Sequence, residues 1–310
     1  MTSIKTLLII AGPTAVGKTA LCVRLAKAFD TVVVSADSRQ FYRELSIGTA
    51  KPTADEMQGV QHYFVDSHSI SDYYSAGDFE RDALVLLDEL FKKHSVVILT
   101  GGSGMFIKAI TDGLDEMPEA PLSLREALEE QAEKEGLDSL VEQLHTLDPV
   151  YYAQVDKKNH QRIVRALEVC LSTGQPFSSF RVEKKVERPF RMVKVCLTRE
   201  REELYERINL RMDQMLEQGL IEEVKSLTAY RSHNALQTVG YKEVFDYLDG
   251  CYDYSEMLRL LKRNTRRYAK RQLTWFRNQD DFEWIDAKDE AALWQYIASQ
   301  GLAPLHQSDR

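Results

Sequence analysis

The sequence predicts an α/β protein in which a parallel β-sheet is flanked by helices and carries a helical insertion domain. In the first third of the chain, short runs of apolar and β-branched residues alternate with helical patterns, and this alternation is typical of a parallel sheet. A glycine-rich turn follows the first of these runs directly. From residue 115 the pattern changes to polar helical segments, and no convincing strand returns until residue 192.

Three strands are predicted ahead of the insertion. Residues 5–11 are continuously apolar and end at a glycine, which is typical of a buried strand in a parallel sheet. Residues 31–35 and 95–100 are rich in β-branched residues, which favour strands. An amphipathic helix at residues 78–93 should connect the last two strands, and another helix should begin at Lys18.

The helical insertion domain is predicted over residues 116–189. Prolines stand near both of its ends, and proline interrupts helices and strands alike. Residues 1–115 and 190–310 then form the core domain. In its second part, a strand at residues 191–198 is followed by helical patterns as far as residue 277.

Composition narrows the class of protein. A chain of 310 residues with 44% hydrophobic content can bury a sizeable core, and its net charge of -8 argues weakly against nonspecific coating of nucleic acid. No apolar run approaches the roughly 20 residues that cross a bilayer, and no signal peptide opens the chain. We therefore expect no membrane span and a cytoplasmic location. The four cysteines are widely spaced without a CxxC pair, so we expect reduced thiols and no zinc site.

One local segment contrasts with this acidic balance. Residues 262–277 contain seven lysines and arginines, three aromatic residues and no acid. Such a run is usually a solvated helix face, but the imbalance of charge favours an anionic partner. Trp275 and Phe276 are assigned to the core first.

The strongest single motif is a phosphate-binding loop. GPTAVGKT fits G-x-x-x-x-G-K-[ST] and lies between a predicted strand and a predicted helix, which is the context that makes the pattern meaningful. Its glycines allow backbone N–H groups to point at phosphate oxygens, Lys18 can bridge two phosphates, and the Thr19 hydroxyl can ligate Mg²⁺. The predicted phosphate-binding residues are Gly12, Pro13, Thr14, Ala15, Val16, Gly17, Lys18 and Thr19.

The loop alone leaves open whether the ligand is a nucleotide or another diphosphate. P-loop NTPases normally place an Asp at the end of an apolar strand to organise Mg²⁺. Here the strand at residues 95–100 runs into the sequence GGSG at residues 101–104, without an acid. A nucleoside triphosphatase is therefore disfavoured.

A carboxylate is predicted at the same edge of the sheet. Asp37 follows the second strand directly, and open α/β folds bind their ligands at the carboxyl ends of the strands. Asp37 could act as a general base, ligate magnesium through water, or cap the next helix. Ser103 should reach the same edge after the third strand, although an ordinary turn serine is the simpler interpretation of the pattern alone.

The motifs occur in the order found in one enzyme family. Besides GPTAVGKT they are SADSRQFYRELSIGTAKP at residues 35–52, GGSGMF at 101–106, DPV at 148–150, QRIVRALEV at 161–169, RINLRMDQML at 207–216, GYKE at 240–243 and TRRYAKRQLTWFR at 265–277. On these segments the chain resembles the tRNA dimethylallyltransferases over most of its length. An ordered set is far more specific than the phosphate-binding loop alone.

The resemblance implies a P-loop NTPase-like fold and transfer of a dimethylallyl group from dimethylallyl diphosphate to N6 of the adenosine at tRNA position 37, next to the anticodon. The phosphate-binding loop would hold the diphosphate with Mg²⁺ on Thr19. Asp37 would take the proton from N6, while Lys18 and Arg211 would stabilise the leaving diphosphate. From the sequence alone, Arg211 is more simply a helix-surface arginine.

The resemblance also implies where tRNA binds. The insertion would close over the anticodon stem-loop, residues 262–277 would bind its backbone, and the target base would leave its stack to reach Asp37. Arg162 and Arg165 share one face of a predicted helix. The residues that correspond to tRNA contacts of the family are Asp37, Ser38, Arg39, Gln40, Ser103, Arg125, Gln161, Arg162, Ile163, Val164 and Arg165.

Three other functions stay open on the sequence alone. Prenyl transfer to free adenylate is disfavoured by the insertion, because a small acceptor needs no clamp. A small-molecule or nucleoside kinase would have a similar loop and sheet, and the missing acid after the third strand argues against it. A noncatalytic RNA-binding protein would have no reason to combine the loop with Asp37. We expect a monomer, and the sequence does not indicate which tRNAs are chosen.

Overall fold

The structure, a computed structural model, describes residues 4–182, 186–279 and 281–304. The chain divides into two compact units, Met1–Thr111 with Glu187–Arg310, and Asp112–Val186. The second unit begins and ends a few residues ahead of the predicted insertion. The first and last residues of this unit are hydrogen-bonded, because the Val186 amide donates to the Asp112 carbonyl at 2.8 Å. Each of the two residues precedes a proline that had marked the predicted boundary, Pro118 and Pro189.

The first unit contains a parallel sheet of six strands within the described residues, in the order β3-β2-β4-β1-β5-β6. The predicted fold class is thereby confirmed. Strands β3 and β6 were not predicted, because both are short edge strands without a clear apolar pattern. The strands are β1 (Thr6–Ala11), β2 (Val33–Ser35), β3 (His62–Tyr63), β4 (Val96–Gly101), β5 (Arg191–Thr198) and β6 (Glu283–Asp286).

Strand β1 occupies the centre of the sheet. All six of its residues are buried, and it pairs in parallel with β4 on one side and β5 on the other. Leu8 and Ile10 belong to the core on one face of the sheet, and Leu7 and Ile9 to the core on the other. Because alternate side chains of a strand point to opposite faces, a strand covered on both faces needs a continuous apolar run.

The helices surround this sheet and build the insertion. In chain order they are α1 (Lys18–Phe29), α2 (Ala54–Met57), α3 (Ala76–Lys93), α4 (Gly104–Thr111), α5 (Leu122–Glu135), α6 (Leu137–Leu147), α7 (Pro149–Gln154), α8 (His160–Thr173), α9 (Arg201–Glu217), α10 (Leu220–Ser226), α11 (Tyr241–Leu248), α12 (Tyr254–Arg277) and α13 (Glu290–Ser299). Across the three described ranges, none of them combines the length and the apolar character that a bilayer span requires.

Helix α12 carries the basic segment. Its buried residues include Leu261, Ala269, Gln272 and Phe276, which recur at helical spacing and place one face in the protein. Phe276 is fully buried, and Trp275 packs against the same core cluster while remaining partly buried. The assignment of these two aromatic residues to the core is confirmed.

The second unit has a hydrophobic core of its own, built from residues of α5, α6 and α8 together with neighbouring segments. The buried Asp148 caps α7 by accepting from the Tyr151 amide at 2.9 Å, and it also accepts from the Ser178 amide at 2.7 Å. The DPV motif is therefore structural: its aspartate ties the start of α7 to the chain after α8.

Candidate functional site

The carboxyl ends of β1, β2 and β4 border a cavity of about 770 Å³ in the first unit. The phosphate-binding loop, the segment after β2 and the glycine-rich turn after β4 all line it. Helices α9 and α12 add the side chains of Arg207, Arg211 and Gln272. Lys18, Asp37 and Arg211, the three residues predicted to carry the chemistry, thus line the same cavity.

The phosphate-binding loop joins the last residue of β1, Ala11, to the first residue of α1, Lys18. Gly12 has a φ of 148°, and a Cβ at this position would lie 2.8 Å from the Leu197 carbonyl oxygen. Gly17 has a φ of 111°. Glycine is favoured at Gly12 by both this φ and the close approach, and at Gly17 by its positive φ, so the two glycines of the motif fix the course of the loop.

Lys18 braces the loop from within. Its Nζ donates to the carbonyl oxygens of Gly12 and Pro13 at 2.9 and 2.8 Å. Burial lowers the pKa of Lys18 to about 8, with the Asp37 carboxylate opposing this shift and the Arg211 guanidinium adding to it. A bound anion would favour the charged form of Lys18 and raise this pKa again.

Two arginines of α9 approach the same loop. Arg211 Nη2 donates to Thr14 Oγ1 at 3.3 Å, and Arg207 Nε, one turn earlier, donates to the Ala15 carbonyl at 2.8 Å. Burial lowers the pKa of Arg211, and the charge of Arg207 lowers it further. Sequence reasoning reached Arg211 only through the family resemblance and missed Arg207. The available signal was their spacing of four residues, which places them on one helix face.

The Asp37 carboxylate belongs to a polar network after β2. Its Oδ1 accepts from the Arg39 amide at 3.0 Å, so it stabilises a turn. In the described chain the next helix begins only at Ala54, and the helix-capping alternative is therefore wrong. The Ser103 hydroxyl accepts from the Ser38 amide at 3.0 Å and donates to the Ser38 hydroxyl at 3.1 Å. Ser103 thus fixes the residue next to Asp37.

Tyr268 of α12 extends this network. Burial, reinforced by the charge of Asp37, raises the pKa of Tyr268 to about 12, while the Ser103 side chain opposes this shift. Burial also lowers the pKa of Arg39, while Tyr268 and Asp37 oppose that shift. Asp37 therefore has a neutral phenol and a guanidinium in its surroundings. The sequence had placed Tyr268 only within a basic, aromatic segment.

The glycine-rich turn after β4 is required by close packing. A Cβ at Gly101 would lie 2.3 Å from the Ala36 carbonyl oxygen, and one at Gly102 would lie 2.3 Å from Gln272 Nε2. Larger residues would therefore push β4 away from the segment after β2 and from α12.

Gln272 was missed by sequence reasoning. Its Oε1 accepts from the Thr14 amide and its Nε2 donates to the Gly102 carbonyl, both at 2.9 Å, so one buried side chain joins the phosphate-binding loop to the glycine-rich turn. A signal was present in the sequence. Gln272 stands between Ala269 and Phe276 on the buried face of α12, where a polar side chain must find hydrogen bonds.

The segment at residues 46–51 contributes to the cavity wall and is held by side chains of the core domain. Gln40 Nε2 donates to the carbonyls of Thr49 and Ala50 at 3.3 and 3.1 Å. The Glu223 carboxylate of α10 accepts from the three successive amides at residues 46–48. Gln40, predicted to contact tRNA, thus donates its side-chain amide within the protein.

The donor set of the cavity suits Mg²⁺. The Thr19 hydroxyl, the Ser35 hydroxyl and the Asp37 carboxylate line it, and Mg²⁺ prefers oxygen ligands. Among the described residues no group of three or more His, Cys, Asp or Glu side chains could form a metal site by itself. A magnesium ion here would be completed by phosphate oxygens and water, as is common where phosphates bind.

The predicted tRNA contacts on α8 divide into two groups. Gln161 and Arg162 are exposed at the start of the helix. Ile163 and Val164 are 0% and 1% exposed and belong to the core of the second unit. Hydrophobic packing therefore removes the side chains of Ile163 and Val164 from the surface, and the tRNA contacts predicted for these two residues have no exposed side chain to rest on.

Arg125 and Arg165 meet at a buried carboxylate in the second unit. Arg125 Nε and Nη2 donate to the two oxygens of Glu168 at 2.6 and 2.9 Å, and Arg165 Nη1 donates at 3.2 Å. The Glu168 side chain is only 4% exposed. Both arginines, predicted as tRNA contacts, are thus tied to an internal partner.

The exposed part of α12 carries the remaining basic side chains. Arg267, Lys270 and Arg271 are exposed on this helix, and none of the three forms an ion pair with any residue that the structure describes; Arg271 lies over the Tyr268 ring. Lys262 differs, because it pairs with Asp213 of α9. Their concentration on one element agrees with the predicted anionic partner.

Comparisons with known proteins agree with one another. Residues 40–279 match the model of a family described as IPP transferase. The chain is 52% identical over 296 residues to a tRNA dimethylallyltransferase of Cytophaga hutchinsonii, covering 96% of this chain and 97% of that protein. It is also similar to the full-length tRNA isopentenylpyrophosphate transferase of Bacillus halodurans, with 39% identity, a TM-score of 0.69 and 96% of both chains covered. A eukaryotic dimethylallyltransferase acting on tRNA gives a TM-score of 0.78 at 25% identity, covering 98% of this chain and 81% of that one.

Proposed function

This chain belongs to the IPP transferase family, and we propose accordingly that it transfers a dimethylallyl group from dimethylallyl diphosphate to N6 of the adenosine at tRNA position 37. The products are N6-(dimethylallyl)adenosine and diphosphate. The P-loop NTPase-like fold supplies the frame. One observation carries the proposal: Lys18, Arg211 and Asp37 line a single cavity, so cationic donors and a carboxylate serve one reaction centre.

The cationic side chains act on the leaving group. As the allylic C–O bond breaks, negative charge accumulates on the diphosphate and partial positive charge on the carbon. Lys18, at the start of α1, and Arg211, on α9, both contact the phosphate-binding loop and would donate hydrogen bonds to that charge. Both side chains are partly buried and therefore less screened than surface charges, which strengthens the interaction.

The carboxylate acts on the nucleophile. The exocyclic amine of adenine is a poor nucleophile, because its lone pair is delocalised into the ring, and it loses a proton as the C–N bond forms. Asp37 accepts that proton. Its turn, its bond to the Arg39 amide and the Ser38–Ser103 contact hold this carboxylate in place.

Mg²⁺ is the proposed cofactor. Thr19 would ligate it directly, and Asp37 could do so through water; the ion supplies charge neutralisation to the diphosphate. The protein's own residues still provide orientation, through the loop, and proton transfer, through Asp37.

The tRNA anticodon stem-loop is the proposed acceptor. A base within a stacked loop cannot enter the cavity, so it must be extruded first. The exposed cations of α12 and Arg162 of α8 are suited to phosphate contacts. We further propose that the enzyme is a cytoplasmic monomer without a structural zinc.

Incubation of the protein with unmodified tRNA, Mg²⁺ and dimethylallyl diphosphate tests this proposal. Digestion and mass analysis of the nucleosides should show N6-(dimethylallyl)adenosine at position 37, with release of diphosphate. Two parallel reactions test the alternatives. ATP should transfer no phosphate, and dimethylallyl diphosphate with free adenylate in place of tRNA should yield no prenylated nucleotide. Cleavage of ATP with unaltered tRNA would favour the kinase alternative and contradict the proposal.

A further inference from the structure

We propose that Arg207 is a positioning residue that holds Ala15 of the phosphate-binding loop in a left-handed backbone conformation. In this role it supports diphosphate binding through the loop and not by contact with the ligand. The inference rests on the proposed function, because it takes a diphosphate as the ligand of the loop.

Ala15 occupies a position that favours glycine. The Val16 amide donates to the Pro13 carbonyl at 3.4 Å, which closes a turn with Ala15 as its third residue. Ala15 has a φ of 63°, in the left-handed region. A Cβ is disfavoured there, and turns of this kind usually place glycine or asparagine at their third position. The surrounding structure must therefore restrain Ala15.

Arg207 supplies such a restraint. Its Nε donates to the Ala15 carbonyl at 2.8 Å, and the direction of that carbonyl depends on the backbone angles of Ala15 itself. The next carbonyl along the chain, that of Val16, accepts from Arg199 Nε at 2.8 Å. Arg199 is held in turn by Glu203 at 2.7 Å. Guanidinium groups thus fix two successive peptide units of the loop.

Fixing these two carbonyls orients the amides that follow them, those of Val16, which closes the turn to Pro13, and of Gly17. In a trans peptide unit the C=O and the following N–H point in opposite directions. The bond from Arg199 to the Val16 carbonyl therefore turns the Gly17 amide away from Arg199, and Gly17 lines the cavity. If the left-handed residue relaxed, the amides would lose their alignment while every charge of the site remained.

Direct contact with the diphosphate is the competing explanation, because Arg207 also lines the cavity. Arg207 is exposed to solvent, so water and salt screen its charge, whereas its hydrogen bond to the Ala15 carbonyl acts locally. The two explanations differ in how they depend on Ala15. Glycine adopts a positive φ without penalty, so Ala15→Gly removes the need for a restraint, but it does not replace a lost charge.

The affinity for inorganic diphosphate with Mg²⁺, measured by calorimetry, distinguishes the positioning role from direct contact. The loss of affinity caused by Arg207→Ala is measured in the natural chain and again in a chain that carries Ala15→Gly. We expect a loss of about tenfold in the natural chain, or about 1.4 kcal/mol, and less than about threefold in the Ala15→Gly background. Equal losses in the two backgrounds would overturn the proposal.

Arg207→Lys provides an independent comparison. Lysine keeps the charge but lacks the planar guanidinium with its directed Nε–H donor. It should therefore lose as much affinity as Arg207→Ala, and full retention by lysine would contradict a positioning role. If Arg207→Ala does not fold, the lysine variant in both backgrounds gives the same test.

Arg201→Ala is the matched control, because Arg201 is exposed at the start of the same helix and lies over the Tyr205 ring. It should bind diphosphate like the natural chain, and thermal unfolding verifies that each variant is folded. If the natural chain does not bind diphosphate, the proposed function itself is contradicted. That outcome is distinct from the comparison of affinity losses among the variants.

Discussion

Closely spaced arginines occur in both units, and their surroundings differ. In the insertion, Arg125 and Arg165 converge on the buried Glu168. On α9, Arg207 and Arg211 donate to a backbone carbonyl and a hydroxyl, and neither forms an ion pair within the described ranges of the chain. The first cluster contains its own counter-charge and stabilises helix packing. The second has no carboxylate partner among the described residues, and both of its arginines donate to the phosphate-binding loop.

The partner of an arginine, more than its motif, therefore decides its role. Arg165 lies in a motif associated with tRNA contacts, yet it is anchored inside the insertion. Arg211 lies in a helical run that resembles an ordinary surface, yet it reaches the phosphate-binding loop. Four experiments test this contrast between the clusters, and the effects that we expect decrease from the first experiment to the last.

Asp37→Ala tests whether this carboxylate is a base or merely a counter-ion of the α9 cluster. Transfer to tRNA should fall by about a thousandfold or more, because a general base contributes roughly 10² to 10⁴. The affinity for diphosphate should stay the same or increase, since a negative charge near Arg211 is removed. Transfer rates and calorimetry measure the two quantities. Asp55→Ala, an exposed aspartate of α2, is the control. Normal turnover by the Asp37→Ala variant would show that the Asp37 carboxylate is not the general base.

The pH dependence of ligand binding tests the charge of Lys18, whose pKa burial lowers to about 8. Lysine is cationic below its pKa, so the affinity for dimethylallyl diphosphate should be nearly constant below about pH 8. Above that pH, binding must take up a proton, and affinity should fall by up to about tenfold per pH unit. The same titration with Lys18→Ala removes the contribution of the ligand's own ionisation. A profile that stays flat to about pH 9.5 would contradict the lowered pKa.

Glu168→Gln tests whether the insertion cluster is structural. Two guanidinium groups would lose their shared carboxylate, and removal of one partner of a buried ion pair costs about 3 kcal/mol of unfolding free energy. Amide hydrogen exchange should accelerate in α5 and α8, while diphosphate binding stays unchanged. Glu133→Gln, an exposed glutamate of α5, should alter neither. Unchanged exchange in the Glu168 variant would argue against a structural role for the cluster.

Arg162 and Arg165 should differ in their effect on tRNA binding, although the sequence predicts both as contacts. Arg162 is exposed, so Arg162→Ala should reduce the slope of log affinity against log salt by about 0.7 to 0.9, the effect of one lost phosphate contact. Arg165→Ala should change this slope less, because Glu168 already balances its charge. Filter binding across a salt series measures both. An unchanged slope for Arg162→Ala would mean that it is simply a surface charge.

Features that depend on neighbours in the chain were predictable. The apolar run of β1, the glycines of the phosphate-binding loop and the start of α1 at Lys18 follow from backbone freedom and burial at adjacent positions. Asp37 was placed at the right sheet edge for the same reason, because it follows β2 directly. The edge strand β3 escaped detection, since two residues carry too little pattern.

Local residue order was thus enough to predict a phosphate-binding loop and a carboxylate at one edge of a parallel sheet, because these depend on turn geometry and on the shared direction of the strands. The fold had to decide which distant side chains complete that site. Gln272 and Arg207 contact the loop from positions far along the chain, and Glu168 forms ion pairs with two arginines of the insertion. Such pairings are settled by packing in three dimensions, because hydrogen bonds and ion pairs depend on distances that residue order does not contain.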